Sequence, residues 1–392
     1  MPSVDRVRAG VGTSEADGAA PAGRHAAAAA LAALAHPPAL VLVYASVRYD
    51  LPALLAGVRD VTGDAPLAGA TSNGHFHNGA VTRPGRGVAV LALTAGPYRF
   101  GVGSVTGLRD DPTGGGRALA RAAKRATDPA GTRHAAMVVF ADGLLGRQQE
   151  LLAGVHKVAG AAVPVAGGAA GDDRQLRRTG VFHGDLVLTG GAVGVWVGSP
   201  WPLPVAVGHG WRPVGLPLLV TEVDGTVVHE IDGRPAVEVI REQLGGDQPG
   251  AELGWLRRSG HHPSQAFGLI EPDGSLLIRG VYLDDEGRLR TLAPLPTYAP
   301  IQVAVSEPDD MLGVVKGIVA RATEGRDPAV LLGFSGVARL NLLRERGAEE
   351  AARLQEAAGP ATATFGFYTY GEYARTTSAA GYHNATLAAL AL

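Results

Sequence analysis

Cysteine is absent from all 392 residues. That excludes disulfides, a thiolate nucleophile and every Cys-ligated zinc or iron–sulfur site, leaving His, Asp and Glu as the strong metal ligands. Lysine is scarce: Lys124, Lys157 and Lys316 are the three in the chain. The arginines form no basic run, so no nucleic-acid partner is expected. Net charge is −2, which gives no general electrostatic target. Long unbroken apolar runs are missing as well. The Ala-rich stretch from His25 to His36 favours helix but is too short and too weakly apolar to span a bilayer. A cytoplasmic protein without a membrane partner is expected.

What the chain has in quantity is apolar mass. Hydrophobic residues make up 46%, enough for a large core and, at this length, for two domains. Residues 1–23 are rich in Gly, Ala, Ser and charge, with no basic region leading into an apolar one, and are expected to be a disordered tail. Beyond them the chain repeats itself. GVGSV, a helix over 114–126, AAMVVFADG, a helix over 148–159 and VPVAGGAAGDD are followed by VFHGDLVL and AVGVWVG. IQVAVS, a helix over 311–322, AVLLGFSG, a helix over 348–358 and ATATFGFYTYGE, then YHNATLAALAL, follow the same order. A shorter copy runs through VLVYASV, a helix over 51–61, PLAGATSNG and GVAVLAL.

Buried-type strands alternating with helices indicate sheets covered by helices. The expected class is α/β, with α+β as the alternative: two mixed-sheet domains with helices packed on the sheets, internally pseudo-duplicated. Between the copies, LLVTEVDGTVVHEI reads as a hairpin turning at Asp224-Gly225, PAVEVIREQL as a helix begun by Pro235, and residues 245–300 as short strands and turns. This change of pattern places the domain boundary near 235, giving domains over 24–235 and 236–392. Gly69, Gly167 and Gly366 close equivalent strands, and the Gly-rich loops after them are expected to form one pocket rim.

The motifs GATSNGHF, FADGL, PVAGGAAGDD, HGWRPVG, VTEVDGTVVHEIDGRPAVEVI, GFYTYGEY and YHNATL, in this order over residues 39–392, resemble the FIST family of F-box and intracellular signal transduction proteins. The resemblance implies a FIST N-terminal domain followed by a FIST C-terminal domain. It also implies a sensory module binding a small molecule such as an amino acid, which signals through a separate protein partner. Some bacterial members of the family look like hemoproteins that sense nitric oxide, so heme enters as the cofactor the resemblance admits. The family often carries Glu directly after the glycine of its first loop; here that position is His75. Its Cys positions are Ala70 and Gly336.

The candidate ligand-binding residues lie on these loops. In a strand His75 and His77 share a face; metal or heme ligation, hydrogen bonding to a ligand, and a polar turn all stay open for the pair. Ser72 and Asn73 precede them. Gly167 and Gly168 lead into Asp172 and Asp173, whose adjacent carboxylates disfavour phosphate. These two suit an amine, a pairing with Arg174, Arg177 or Arg178, or loop capping. His209 and Trp211 suit a pocket wall or a packed corner. Tyr368 and Glu372 belong to the third Gly loop. Arg339 and Glu372 suit either a mutual ion pair or a clamp on an amino-acid-like ligand. His383 is matched to His183 by the repeat. An enzyme using His, Asp and Arg of the same pocket is the remaining alternative, with Ser72 or Ser335 as nucleophile, although neither sits in a G-x-S-x-G elbow.

Overall fold

A computed structural model describes residues 6–245, 265–375 and 381–392. The α/β class and the packing of helices on mixed sheets are as expected. The repetition is threefold. The first copy comprises β1 (Ala9–Ser14), α1 (Ala19–Ala32), β2 (Leu40–Ala45), α2 (Leu51–Thr62), β3 (Leu67–Thr71), the hairpin β4 (His75–His77) and β5 (Ala80–Thr82), and β6 (Val88–Leu93). The second has the same order: β7 (Arg99–Val105), α3 (Pro112–Arg125), β8 (His134–Ala141), α4 (Gln148–Ala159), β9 (Val165–Ala169), hairpin β10 (Val181–His183) and β11 (Leu186–Leu188), and β12 (Ala192–Ser199).

The third copy begins with β13 (Val205–Gly208) and is interrupted by an insert. That insert is β14 (Arg212–Asp224), β15 (Val227–Ile231), β16 (Arg234–Pro235), α5 (Ala236–Gly245), β17 (Gln265–Ile270), β18 (Leu276–Arg279), β19 (Val281–Leu283), β20 (Leu289–Thr291) and β21 (Pro300–Val305). The copy resumes with α6 (Pro308–Gly313), α7 (Val315–Thr323), β22 (Val330–Gly336), α8 (Val337–Leu343), α9 (Gly347–Ala358), β23 (Ala363–Thr369), hairpin β24 (Glu372–Ala374) and β25 (Tyr382–His383), and β26 (Leu387–Ala391).

Each copy's central strands pair parallel with one another and antiparallel with the rest, giving three six-stranded sheets ordered β1-β6-β2-β3-β10-β11, β7-β12-β8-β9-β24-β25 and β13-β26-β22-β23-β4-β5. The hairpins are exchanged in a ring. The first copy's β4–β5 extends the third sheet, the second copy's β10–β11 extends the first, and the third copy's β24–β25 extends the second. The inner faces of all three sheets share one apolar core. At its centre the equivalent residues Tyr44, Phe140 and Phe334 meet, with ring centroids 5.8 Å apart for the first pair and 6.3 Å for the second. Helices cover the outer faces: α1 and α2 on the first sheet, α3 and α4 on the second, α7 and α9 on the third.

One glycine recurs for a geometric reason. Gly69, Gly167 and Gly366 lie opposite Val43, Val139 and Gly333 on the parallel neighbour. A Cβ there would stand 2.0, 2.0 and 2.2 Å from the neighbour's carbonyl oxygen. The antiparallel neighbour presents Phe182, Tyr373 or Phe76 at the same level, and at Gly366 the Phe76 ring lies in the space a side chain would fill.

Several expectations change. Residues 9–14, within the stretch expected to be a tail, form β1, paired along its whole length with β6. Its Gly-rich composition serves close packing rather than disorder, since a Cβ on Gly10 or Gly12 would lie 1.9 or 2.1 Å from a carbonyl oxygen of α1. IQVAVS does not open the third copy. It is β21, bonded to β14 and β17 of the insert, and β13 takes the expected place beside β26. The helix expected over 311–322 breaks at Val314 into α6 and α7. His183 and His383 are not equivalent: His183 belongs to the strand bonded to β3, while His383 lies on the outer strand β25. The positions matching His75 are Val181 and Glu372, each directly after a loop glycine.

Candidate functional site

The three Gly loops do come together, but as a closed knot around the pseudo-threefold axis. Gly171 N–H donates to the Thr71 carbonyl, Asn73 N–H to Tyr368, Tyr368 N–H to Gly74, Ala169 N–H to Gly371 and Tyr370 N–H to Ala169. Ser72, Asn73, His75, Asp172, Tyr368 and Glu372 are all fully buried. Asn73 Oδ1 accepts from the backbone of Asp172 and Arg174. Asp172 caps its loop: its carboxylate accepts the N–H groups of Gln175, Leu176, Arg177 and Arg178 and the Tyr370 hydroxyl. It thus takes backbone amides rather than the arginine side chains considered for it. Asp173 accepts from Ser46 Oγ at 2.6 Å, Gly85 N–H at 2.6 Å and Val47 N–H at 3.1 Å. Burial pushes its carboxyl upward despite these donors.

His75 lies between Phe367 and Thr82 on the neighbouring strands, with Nδ1 3.5 Å from Ser72 Oγ and Nε2 unbonded. Burial, then the neighbouring His77, lowers its pKa to about 3, so the ring is neutral. Burial likewise lowers His77. Neither Ser72 nor His75 bonds a carboxylate side chain among the described residues, so no nucleophile, base and orienter set is assembled there. Ser335 Oγ is committed to Glu350 Oε1 at 2.6 Å. No group of three or more metal-ligating side chains occurs among the described residues.

Arg339 does not pair with Glu372. It makes a fully buried ion pair with Glu350, Nε to Oε2 at 2.7 Å and Nη2 to Oε2 at 2.6 Å, and donates to the carbonyls of His209 and Met311. Glu350 was not legible as a site residue because Glu349-Glu350 on a helix resembles a solvated pair. Glu372 instead accepts from Thr369 Oγ1 at 2.6 Å and from Thr386 N–H and Oγ1, both at 2.9 Å. Burial outweighs these donors and raises its pKa to about 7.

Three of the expected residues, His209, Trp211 and His383, line an open cavity of about 490 Å³ between the third copy and the insert. Ser275 and Leu276 of the insert form one side, and Thr386, Val314 and Asp310 the other. His209 Nδ1 accepts the Trp211 N–H at 2.8 Å, and Trp211 Nε1 donates to the Ala385 carbonyl at 3.2 Å. His383 Nε2 lies 2.7 Å from the Ala374 carbonyl. A carbonyl only accepts, so Nε2 carries the hydrogen and Nδ1 is left as an acceptor. Burial lowers His209 and His383 to about 4. The cavity is therefore walled by neutral imidazoles and an indole. Thr386, on its wall, bonds the buried Glu372 carboxyl behind it.

Comparison with known proteins matches residues 39–234 to the FIST N domain and residues 236–375 to the FIST C domain. The chain belongs to the FIST family. FIST domains are sensory domains thought to bind small ligands in signalling. Over 85 residues, 22% of this chain and 22% of the relative, this FIST protein is 39% identical to the uncharacterized protein Mb0898c of Mycobacterium bovis. Over 107 residues, 27% of this chain and 20% of the relative, it is 32% identical to the uncharacterized protein MJ1623 of Methanocaldococcus jannaschii. A crystal structure of cyanuric acid hydrolase from A. caulinodans aligns over 98% of this chain and 99% of that one, at 12% identity and a TM-score of 0.34.

His75 does not fit as an axial heme ligand. An axial ligand needs an open face over its ring nitrogen, and His75 is enclosed in a strand ladder away from the cavity wall. No helix among the described residues is long and apolar enough to cross a membrane.

Proposed function

We propose that this FIST protein is a sensory module whose small polar ligand occupies the cavity between the third copy and the insert. The carrying observation is His383: one nitrogen is fixed on Ala374 and the other is left as an acceptor on the wall of a cavity that also holds Trp211. That arrangement suits a ligand with a hydrogen-bond donor, an amine, amide or hydroxyl, and an apolar part lying on the indole. The cavity has one wall in the insert and the other in the core, so a ligand touching both favours one attitude of the insert. Such differential affinity is what a signal to a separate protein requires.

Thermal denaturation of the full chain against a panel of amines, amino acids, amides and polyols tests this. Ligand at about 100 times its Kd stabilises the folded state by about 2.7 kcal/mol. At least one compound is expected to give a saturable shift that His383→Ala abolishes. A panel without a hit, or hits indifferent to His383→Ala, refutes the reading.

A further inference from the structure

Within the insert, one fully buried cation makes no ion pair among the described residues. Arg279 ends β18 opposite Phe267, on the side of the sheet that carries the insert's own apolar core, and has no exposed surface. Its Nη1 donates to the Ile278 carbonyl at 3.0 Å and to the Tyr382 carbonyl at 3.0 Å. Tyr382 belongs to β25 of the core, so Arg279 ties insert to core. Its Nε and Nη2 have no partner among the described residues. Tyr382 and then Glu271 act on it through space; Glu271 Oε2 is itself buried without a hydrogen-bond partner among the described residues, so the carboxylate does not reach the guanidinium. Burial lowers its pKa only to about 10, which leaves the guanidinium charged at neutral pH.

Holding a charge without an ion-pair partner in an apolar interior costs several kcal/mol. The nitrogens left without partners are not random ones. Nε–H and one Nη2–H run parallel along one edge of the guanidinium, at the spacing that matches the two oxygens of a carboxylate. A monoanion balances one arginine. A phosphate dianion would call for a second cation, and no lysine or second arginine bonds at this place among the described residues.

We propose that Arg279 anchors a binding site for a small organic carboxylate at the junction of insert and core. Occupancy neutralises the buried charge and so stabilises the seating of the insert against β25. His383, next in sequence to Tyr382, connects this anchor to the cavity wall. The proposal rests on reading the insert–core junction as the ligand-binding region, and it adds the chemical class.

The test is thermal denaturation of the full chain in sodium acetate, L-alanine, ethanolamine or inorganic phosphate, against sodium chloride at equal ionic strength. Acetate is expected to raise the Tm saturably. Arg279→Lys, which keeps the charge and loses the fork, is expected to fold and to need at least tenfold more acetate for half the shift. If the lysine variant does not fold, Arg279→Gln serves, because its amide still donates to one carbonyl. No acetate response in the wild type overturns the proposal, as does an equal response to phosphate or an unchanged response in the variant. Destabilisation by Arg279→Lys without any acetate effect in the wild type means that a polypeptide carboxylate fills the site, which also overturns it. Ethanolamine acting through His383 while acetate does nothing sinks this inference alone. Acetate acting through Arg279 with no compound acting through His383 sinks the cavity reading and leaves the anchor.

Discussion

Removing the Glu350 carboxylate is expected to be among the most damaging polar substitutions in the molecule. Glu350 and Arg339 are both fully buried and bonded through Nε and Nη2. Arg339 also holds the carbonyls of His209 and Met311, while Ser335 leans on the other carboxylate oxygen. Glu350→Leu leaves the guanidinium charged, keeps two of its acceptors and orphans the Ser335 hydroxyl. Breaking a buried pair from one side costs about 3–5 kcal/mol, and the lost hydroxyl partner adds about 1 kcal/mol. The double variant Arg339→Met, Glu350→Leu removes the stranded charge. What then remains is two carbonyls and one hydroxyl without donors or acceptors, about 1 kcal/mol each, so the double variant should be more stable than Glu350→Leu. Urea unfolding followed by circular dichroism reads this as a lower midpoint at unchanged slope. A cost below about 1 kcal/mol for Glu350→Leu, or a double variant no more stable than the single, would refute the argument. Because Arg339 grips the carbonyl of His209, the same single substitution should also weaken ligand binding in the cavity.

Glu372 should make stability fall as pH rises from 4.5 to about 7, because the folded state keeps a proton that the unfolded state has released. Glu372→Gln should lack this slope in pH-dependent urea titrations. His383 acts in the opposite sense: with its folded pKa near 4, it costs stability as pH falls from 6.5 towards 4, and His383→Asn should soften that loss in the same titrations. Gly366→Ala should cost at least the 1–3 kcal/mol typical of overpacking, since its Cβ would meet the Gly333 carbonyl and the Phe76 ring, both at 2.2 Å. Equal stability to wild type in urea would show that the two strands can part. Asp172→Ala strips the amides of Leu176, Arg177 and Arg178 of their acceptor, while Gln175 keeps the Asp172 carbonyl, and should sharply raise hydrogen exchange at residues 176–178, with the remote helix α1 unaffected.

The strands were legible because continuous runs such as VLVYA and AMVVFA have no polar alternation and must be covered on both faces. The recurring glycine was legible because all three copies share one steric need. The tail was misread for the same reason that glycine was read well: composition alone does not separate Gly that admits a neighbouring backbone from Gly that leaves a chain loose. The third copy's first strand was misplaced because the insert separates Val205 from α7. The hairpin exchange could not be read at all, since His75-Phe76-His77 has the same pattern whichever sheet it joins. Of the site residues, His209, Trp211 and His383 meet at a cavity, while Ser72, Asn73, His75 and Asp172 are spent on the knot. Arg279 was missed as one arginine among many. Its signal was alternation: on a strand ending Leu-Leu-Ile-Arg, Arg279 falls on the same face as buried Leu277.

The exchanged hairpins form a closed circuit of debts between copies. Each sheet is completed by strands that belong to a neighbour, and the third copy returns the loan begun by the first. An open array of repeats can fray from its ends, one unit at a time. Here no copy is terminal, so detaching any one of them strips an edge from a second sheet and reclaims one from its own. Unfolding of the core is therefore expected to be a single cooperative event. The insert lies outside the circuit and is seated on one copy, through Arg279 on Tyr382 and a small apolar cluster.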